Sequence, residues 1–133
     1  MRDLLTTLAP ALAGGRRAAI ATVVTVYRSA PRGPGAAMAL LDDGRIVGSV
    51  TGGCVEPDVL EHARQVLDGG PARLADYGIA DEDAFAVGMP CGGRIEIVIE
   101  PAEPAVIGRI ADAVRDDQPV AYATVLAGPG FGT

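Results

Sequence analysis

The stretch AAMALLDDGRIVGSVTGGCVEPDVLEHARQVL, residues 36–67, sets the fold class before any other segment is read. AAMALL and RIVGSV are two apolar runs joined by Asp42-Asp43-Gly44. Glycine accepts the positive φ that a tight hairpin turn requires, so 36–50 reads as a β-hairpin. The run after TGGC changes period. Val55, Val59, Ala63 and Val66 recur at helical spacing, Pro57 suits a first helical turn, and Gly69-Gly70 supplies a stop. A hairpin that runs straight into a helix excludes a purely alternating parallel α/β chain.

Working outward, Leu4, Leu5, Leu8 and Leu12 share one helical face, and AAIATVVTVY (18–27) is rich in β-branched residues, as a buried strand should be. SAPRGPGA (29–36) holds two prolines and two glycines and must be a loop. ARLADY reads as a short strand. RIEIVIE (94–100) alternates, with Ile95, Ile97 and Ile99 on one side. Ala105 to Arg115 reads as a third helix and PVAYATVLA (119–127) as a final strand; DEDAFAV, within 78–88, allows a helical turn. The expectation is an α/β (α+β) single domain: a mixed β-sheet with a hairpin, flanked by about three helices.

At 133 residues the chain can bury one sizeable core, and 49% hydrophobic residues mark it as globular. Its net charge of −6 argues against general nucleic-acid binding. All eleven basic residues are arginine. No uninterrupted apolar run is long enough for a membrane span, and MRDLLTTLAPALAGG, with Asp3 and Pro10, is unlike a signal peptide. A cytoplasmic location is therefore expected, with the cysteines as thiols.

Those two cysteines lie in related stretches. GSVTGGCVE (48–56) and GMPCGGRIE (88–96) match at Gly48/Gly88, Gly52/Gly92, Gly53/Gly93 and Glu56/Glu96. Cys54 follows its glycine pair and Cys91 precedes its own. Different elements follow the two stretches, which favours convergent glycine loops over a true repeat. Gly52-Gly53 lies between a strand and a helix, so its N–H groups are expected to be unpaired and to form a cradle for a phosphate or similar anion. Cys54, at the helix start, would have its thiolate favoured there, as a nucleophile or a soft metal ligand. Arg28 and Arg32 flank the other loop and suit an anion clamp. Ser49 can donate a hydrogen bond, and Glu56 is a candidate base or ligand. Each feature alone is read more simply as turn, packing or solvated charge. His62, near an apolar stripe, reads as a structural histidine.

Taken in order, ATVVTVYRSAPRGPGAAM, DGRIVGSVTGGCVE and YGIADEDAFAVGMPCGGRIEIVIEP resemble the N-terminal domain of the XdhC/CoxI family, accessory proteins of xanthine dehydrogenase and related molybdenum hydroxylases. The likeness covers residues 1–127, leaving 128–133 as a tail or the start of a linker. It implies a maturation factor that carries molybdenum cofactor (molybdopterin) as cargo, supports its sulfuration by a cysteine desulfurase, and hands it to an apo molybdenum hydroxylase. It places Gly52, Gly53 and Cys54 in the family's GGC motif, with Cys54 the thiol associated with the cofactor and, through it, with the metal. Cys91, Gly92 and Gly93 fall in its CGG motif, and Arg32 and Gly35 in its PRxxG loop. Many members continue into a Rossmann-like domain, so a separate Rossmann-type partner chain or a homo-oligomer is expected. The reading is a cofactor chaperone rather than a turnover enzyme. The alternatives are a thiol-dependent sulfurtransferase carrying a persulfide on Cys54, and a non-catalytic interaction module of a larger accessory complex.

Overall fold

The computed structural model describes residues 2–78 and 92–132. Its elements are α1 (Arg2–Ala13), β1 (Ala18–Tyr27), β2 (Ala37–Leu41), β3 (Ile46–Gly48), α2 (Glu56–Leu67), β4 (Arg73–Tyr77), β5 (Arg94–Pro101) and α3 (Pro104–Arg115). The strands form one sheet in the order β3-β2-β1-β5-β4. The α+β class, the hairpin and the three flanking helices are as the sequence implies. The sheet is antiparallel at every pairing rather than mixed. The physical reason lies in the connections: β2 and β3 are joined by a tight turn, and among the described residues no crossover helix links strands that neighbour each other in the sheet.

The two faces of the sheet sort the apolar residues by parity. Ala19, Ala21, Val23, Met38, Leu40 and the three isoleucines of β5 pack under Val59, Ala63 and Val66 of α2. Ala18, Ile20, Ala37, Ala39 and Leu41 point the other way and meet the four leucines of α1 and Ile107 of α3. Burying a Leu, Ile or Val contributes about 1.5–3 kcal/mol, so these two layers dominate stability. A bulge in β1 between Val23 and Thr25 breaks the parity. The extra residue lets Val26 rejoin the α2 layer and turns Tyr27 to the opposite face, where it pairs with Arg94. The hairpin turn is as expected: Gly44 has φ 88°, and its N–H donates to the Leu41 carbonyl at 2.9 Å.

One expected strand does not form. Residues 119–127 take no regular secondary structure and join no ladder. They are held instead by side chains, for the hydroxyls of Tyr122 and Thr124 donate to Glu100 Oε1 at 2.9 and 3.2 Å. Glu100 lies on the β5 face away from α2 and is 1% exposed. Its Oε2 has no hydrogen-bond partner. Burial raises its pKa, and the two hydroxyl bonds only partly offset that. Among the described residues no helix is long and apolar enough to cross a membrane.

Candidate functional site

The topology brings the motif loops to one end of the sheet. β1 ends at Tyr27 opposite Arg94, where β5 begins; β3 ends at Gly48 opposite Met38, near the start of β2. The loops 28–36 and 49–55, together with Gly92-Gly93, therefore leave the sheet at the same end. Gly93 shows how tightly two of them meet. A Cβ placed there would lie 1.7 Å from the Ser29 carbonyl oxygen, so only glycine fits beneath the arginine loop. Cys91, and the expected helical turn within 78–88 from residue 79 onward, lie outside the described residues.

The TGGC loop is built around a carboxylate. Glu56, the first residue of α2, folds back over the loop that precedes it. Its Oε1 accepts from Ser49 Oγ (2.8 Å) and from the N–H groups of Val50 (3.2 Å), Thr51 (2.8 Å) and Gly52 (2.9 Å). Its Oε2 accepts from Thr51 Oγ1 (2.5 Å) and the Gly53 N–H (2.9 Å). Gly52 and Gly53 have φ of 89° and 132°, which turns consecutive N–H groups inward onto one point. The anion cradle expected from sequence thus exists as geometry, but its donors are not unpaired. Glu56 fills it. Partial burial works to raise the pKa of Glu56, yet the bonds from Thr51, Ser49 and Gly52 together outweigh it and hold the carboxyl far below the usual carboxylate range. Glu56 is therefore an ionised structural anion, unsuited to act as a general base. Ser49 is engaged as well, donating to Glu56 and accepting from the Gly52 N–H at 2.9 Å.

Cys54 rides on this scaffold. Its N–H donates to Thr51 Oγ1 at 3.1 Å, and its side chain packs against the α2-side core while remaining partly exposed. It is a free thiol at the rim, neither entombed nor fully solvated. Thr51, which the sequence reading passed over, is 3% exposed and couples Glu56 to the Cys54 backbone. Its position one residue before the glycine pair was the only available signal.

Arg28 and Arg32 stand on the neighbouring loop, and both are exposed. Arg28 has φ 64°, a left-handed conformation that is unusual outside glycine. With Tyr27, Gly92 and Arg94 it lines a cleft of about 280 Å³. Arg94 was not singled out from sequence. Its guanidinium lies 5.2 Å from the Tyr27 ring centroid, and its Nε donates to both Asp76 carboxylate oxygens at 2.9 and 3.0 Å. By strand parity this cleft opens on the face opposite α2, whereas Cys54 packs on the α2 side. The thiol and the arginine cleft share one end of the sheet and not one pocket. No hydrogen bond among the described residues ties Arg28 or Arg32 to the TGGC loop. Nor does any group of three or more Cys, His, Asp or Glu among them form a metal site.

On α2, His62 lies between Arg73 and Asp58. Arg73 can only donate, and it reaches His62 Nδ1 at 2.8 Å. Nε2 therefore carries the proton and faces Asp58 at 3.2 Å. Asp58 also accepts from the Tyr77 hydroxyl at 2.7 Å, and burial together with that carboxylate raises the Tyr77 pKa.

A model of the XdhC and CoxI family matches residues 11–78, which span β1, the hairpin, the TGGC loop, α2 and β4. The chain belongs to the XdhC and CoxI family. It is 34% identical over 114 residues to an Escherichia coli (strain K12) protein named molybdenum cofactor insertion chaperone PaoD, covering 82% of this chain and 36% of that one. It is 34% identical over 102 residues to a Bacillus subtilis (strain 168) protein named as a probable xanthine dehydrogenase subunit, covering 75% of this chain and 31% of that one. A crystal structure from Bacillus halodurans, described as a xanthine dehydrogenase, superposes with a TM-score of 0.69 at 30% identity, over 86% of this chain and 35% of that one. This XdhC/CoxI chain thus spans about a third of the length of these relatives.

Proposed function

We propose that this XdhC/CoxI chain is the thiol-bearing part of a molybdenum cofactor maturation factor, which holds the cofactor as cargo and passes it to an apo molybdenum hydroxylase. The observation that carries the reading is the placement of Cys54: a free, partly exposed thiol at the end of the sheet where the family's motif loops meet. The name of the Escherichia coli relative supports cofactor insertion as the task. Molybdopterin brings a phosphate and sulfur ligands to its metal. A thiol suits the sulfur-ligated metal, because both are soft.

The phosphate contact falls to the arginines. The N–H groups of Gly52 and Gly53 already bond Glu56, so a second anion there would meet a carboxylate at close range. Arg28 and Arg32 are exposed and suit a phosphate or another anionic part of the cargo. In this reading Gly52 and Gly53 act indirectly, setting the loop that presents Cys54. Gly92 and Gly93 act likewise, Gly93 by admitting the Ser29 backbone. Cys91 is proposed as a second thiol of the same machinery.

The cytoplasm is the proposed location, and a cysteine desulfurase the proposed source of sulfur. A persulfide held on Cys54 during sulfuration is the second reading, and a partly exposed thiol is what it needs. The two readings part in one experiment. The protein is incubated with desulfurase and cysteine, and separately with extracted molybdenum cofactor. Retained molybdenum and pterin without thiol modification supports the carrier; a mass increase of one sulfur at Cys54 supports the persulfide. Failure to retain cofactor, with an unmodified thiol, rejects both.

A further inference from the structure

The N–H groups of Val50, Thr51, Gly52 and Gly53 all reach the Glu56 carboxylate directly. The run stops at the next residue. The Cys54 N–H donates instead to Thr51 Oγ1 at 3.1 Å, and the Val55 N–H donates to the same oxygen at 3.4 Å. Thr51 Oγ1 in turn donates to Glu56 Oε2. An ionised carboxylate can only accept, so the one hydroxyl proton of Thr51 points at Glu56. Both lone pairs are then left for the two N–H groups. Donating to a charged acceptor also polarises the hydroxyl and strengthens its oxygen as an acceptor. Thr51 thus extends the carboxylate by one side chain, as far as the backbone of the thiol residue.

The backbone on either side of Cys54 shows why that reach matters. Before it stand Gly52 and Gly53, both at positive φ, and glycine restrains its own backbone least of all residues. After it stands Val55, fully buried in the α2-side core, whose carbonyl accepts from the Asp58 and Val59 N–H groups and so opens α2. Cys54 joins a permissive pair to a fixed helix start, and the Thr51 hydroxyl clamps that joint. Thr51 is itself buried, and a β-branched side chain is stiff at χ1, so the direction of its hydroxyl is fixed. Serine would keep the hydroxyl and lose the methyl group. Valine would keep the shape and lose both hydrogen-bonding roles.

We propose that Thr51 is the positioning residue of the thiol: its hydroxyl, aimed by Glu56, holds Cys54 at the rim in the place where the cargo meets it. Thr51 acts through Cys54 and touches no cargo itself. The loop carries its own anion in Glu56, so it is organised before any cargo arrives, and binding does not have to order it. The purpose of the positioning rests on the cofactor reading above; the positioning itself rests on the hydrogen bonds of Thr51.

The test uses the 133-residue chain with Thr51→Val and Thr51→Ser. In a Cys91→Ser background, N-ethylmaleimide should alkylate Cys54 at least about threefold faster in Thr51→Val, because the joint opens locally, and at nearly the parent rate in Thr51→Ser. Loaded with extracted molybdenum cofactor, Thr51→Val should retain about five- to tenfold less than the parent, the scale set by ordering one side chain on binding, and Thr51→Ser should match the parent within about twofold. The double variant Thr51→Val, Cys54→Ser should retain as much as Cys54→Ser alone, since a residue acting through the thiol adds nothing once the thiol is gone. Multiplied losses would overturn the proposal, as would a parent alkylation rate in Thr51→Val or a Thr51→Ser that behaves like Thr51→Val. Should Thr51→Val fail to fold, the parent decides by amide exchange: a Cys54 amide protected less than about tenfold would equally overturn it. Equal cofactor retention by the parent and Cys54→Ser would defeat the cofactor reading alone, and the alkylation rates would still decide the positioning role.

Discussion

Removing the Glu56 carboxylate should destabilise the whole domain while touching no hydrophobic contact. Six donors converge on it, and the six are not equivalent. Gly52 and Gly53 are exposed, so in Glu56→Ala water can take over their N–H groups. Val50 and Thr51 are 0% and 3% exposed, and their N–H groups would lose their partner without access to solvent. An unsatisfied buried donor costs about 1–3 kcal/mol, so two of them set an expected loss of ~3 kcal/mol. For a domain of this size that lowers the unfolding midpoint by roughly 10 °C. The pH dependence has a definite sign. A carboxyl whose folded pKa is depressed stabilises fully above its ordinary value, near 4.5, and loses that stabilisation as pH falls toward the folded value. The gap between parent and Glu56→Ala, followed by thermal circular dichroism, should therefore be widest at pH 7 and should narrow from pH 4.5 downward. Glu56→Gln should sit between them, since its amide keeps one acceptor but points an NH₂ at donors. A difference below about 0.5 kcal/mol at pH 7 would refute the reasoning, as would a gap that widens on acidification.

Three further outcomes are expected. Gly93→Ala should cost about 2–3 kcal/mol in denaturant unfolding, because a methyl group 1.7 Å from the Ser29 carbonyl forces two loops apart; a neutral effect would show that the loops are not in contact. Glu100 has a raised folded pKa, so its contribution runs opposite to that of Glu56: stability is present at low pH and lost as pH rises through the folded value. Glu100→Gln should be at least as stable as the parent at pH 8, with the advantage shrinking toward pH 5, and a constant offset across that range would contradict the burial argument. Arg32→Ala should weaken retention of the anionic cofactor and reduce the sensitivity of that retention to salt. An unchanged salt response counts against a phosphate contact at this loop.

Much of the fold is written in local periodicity. The hairpin at Asp43-Gly44, the alternation of Ile95, Ile97 and Ile99, and the helical spacing from Val55 to Val66 are nearest-neighbour signals, and each element forms where they place it. Residues 119–127 have the composition of a strand yet no ladder, because strand formation needs a hydrogen-bonding partner that composition cannot supply. The antiparallel direction of every pairing depends on connections rather than on the strands' own residues. At the site, the glycine pair was legible as an N–H cradle, but its occupant was not. Glu56 reads as a first-turn residue interacting with a helix dipole until its side chain is seen folded back over 49–53. The Tyr27–Arg94 cleft was hidden for a similar reason. The bulge after Val23 reverses the parity of β1, and no residue type announces it.

The account stands most directly on the thiol of Cys54 taking part in cofactor handling. The decisive measurement is the molybdenum and pterin retained, after gel filtration, by the parent chain and by Cys54→Ser loaded with equal amounts of extracted cofactor. The parent should retain cofactor, and Cys54→Ser should retain at least tenfold less at an unfolding midpoint within about 2 °C of the parent. Equal retention by the two proteins would contradict the account.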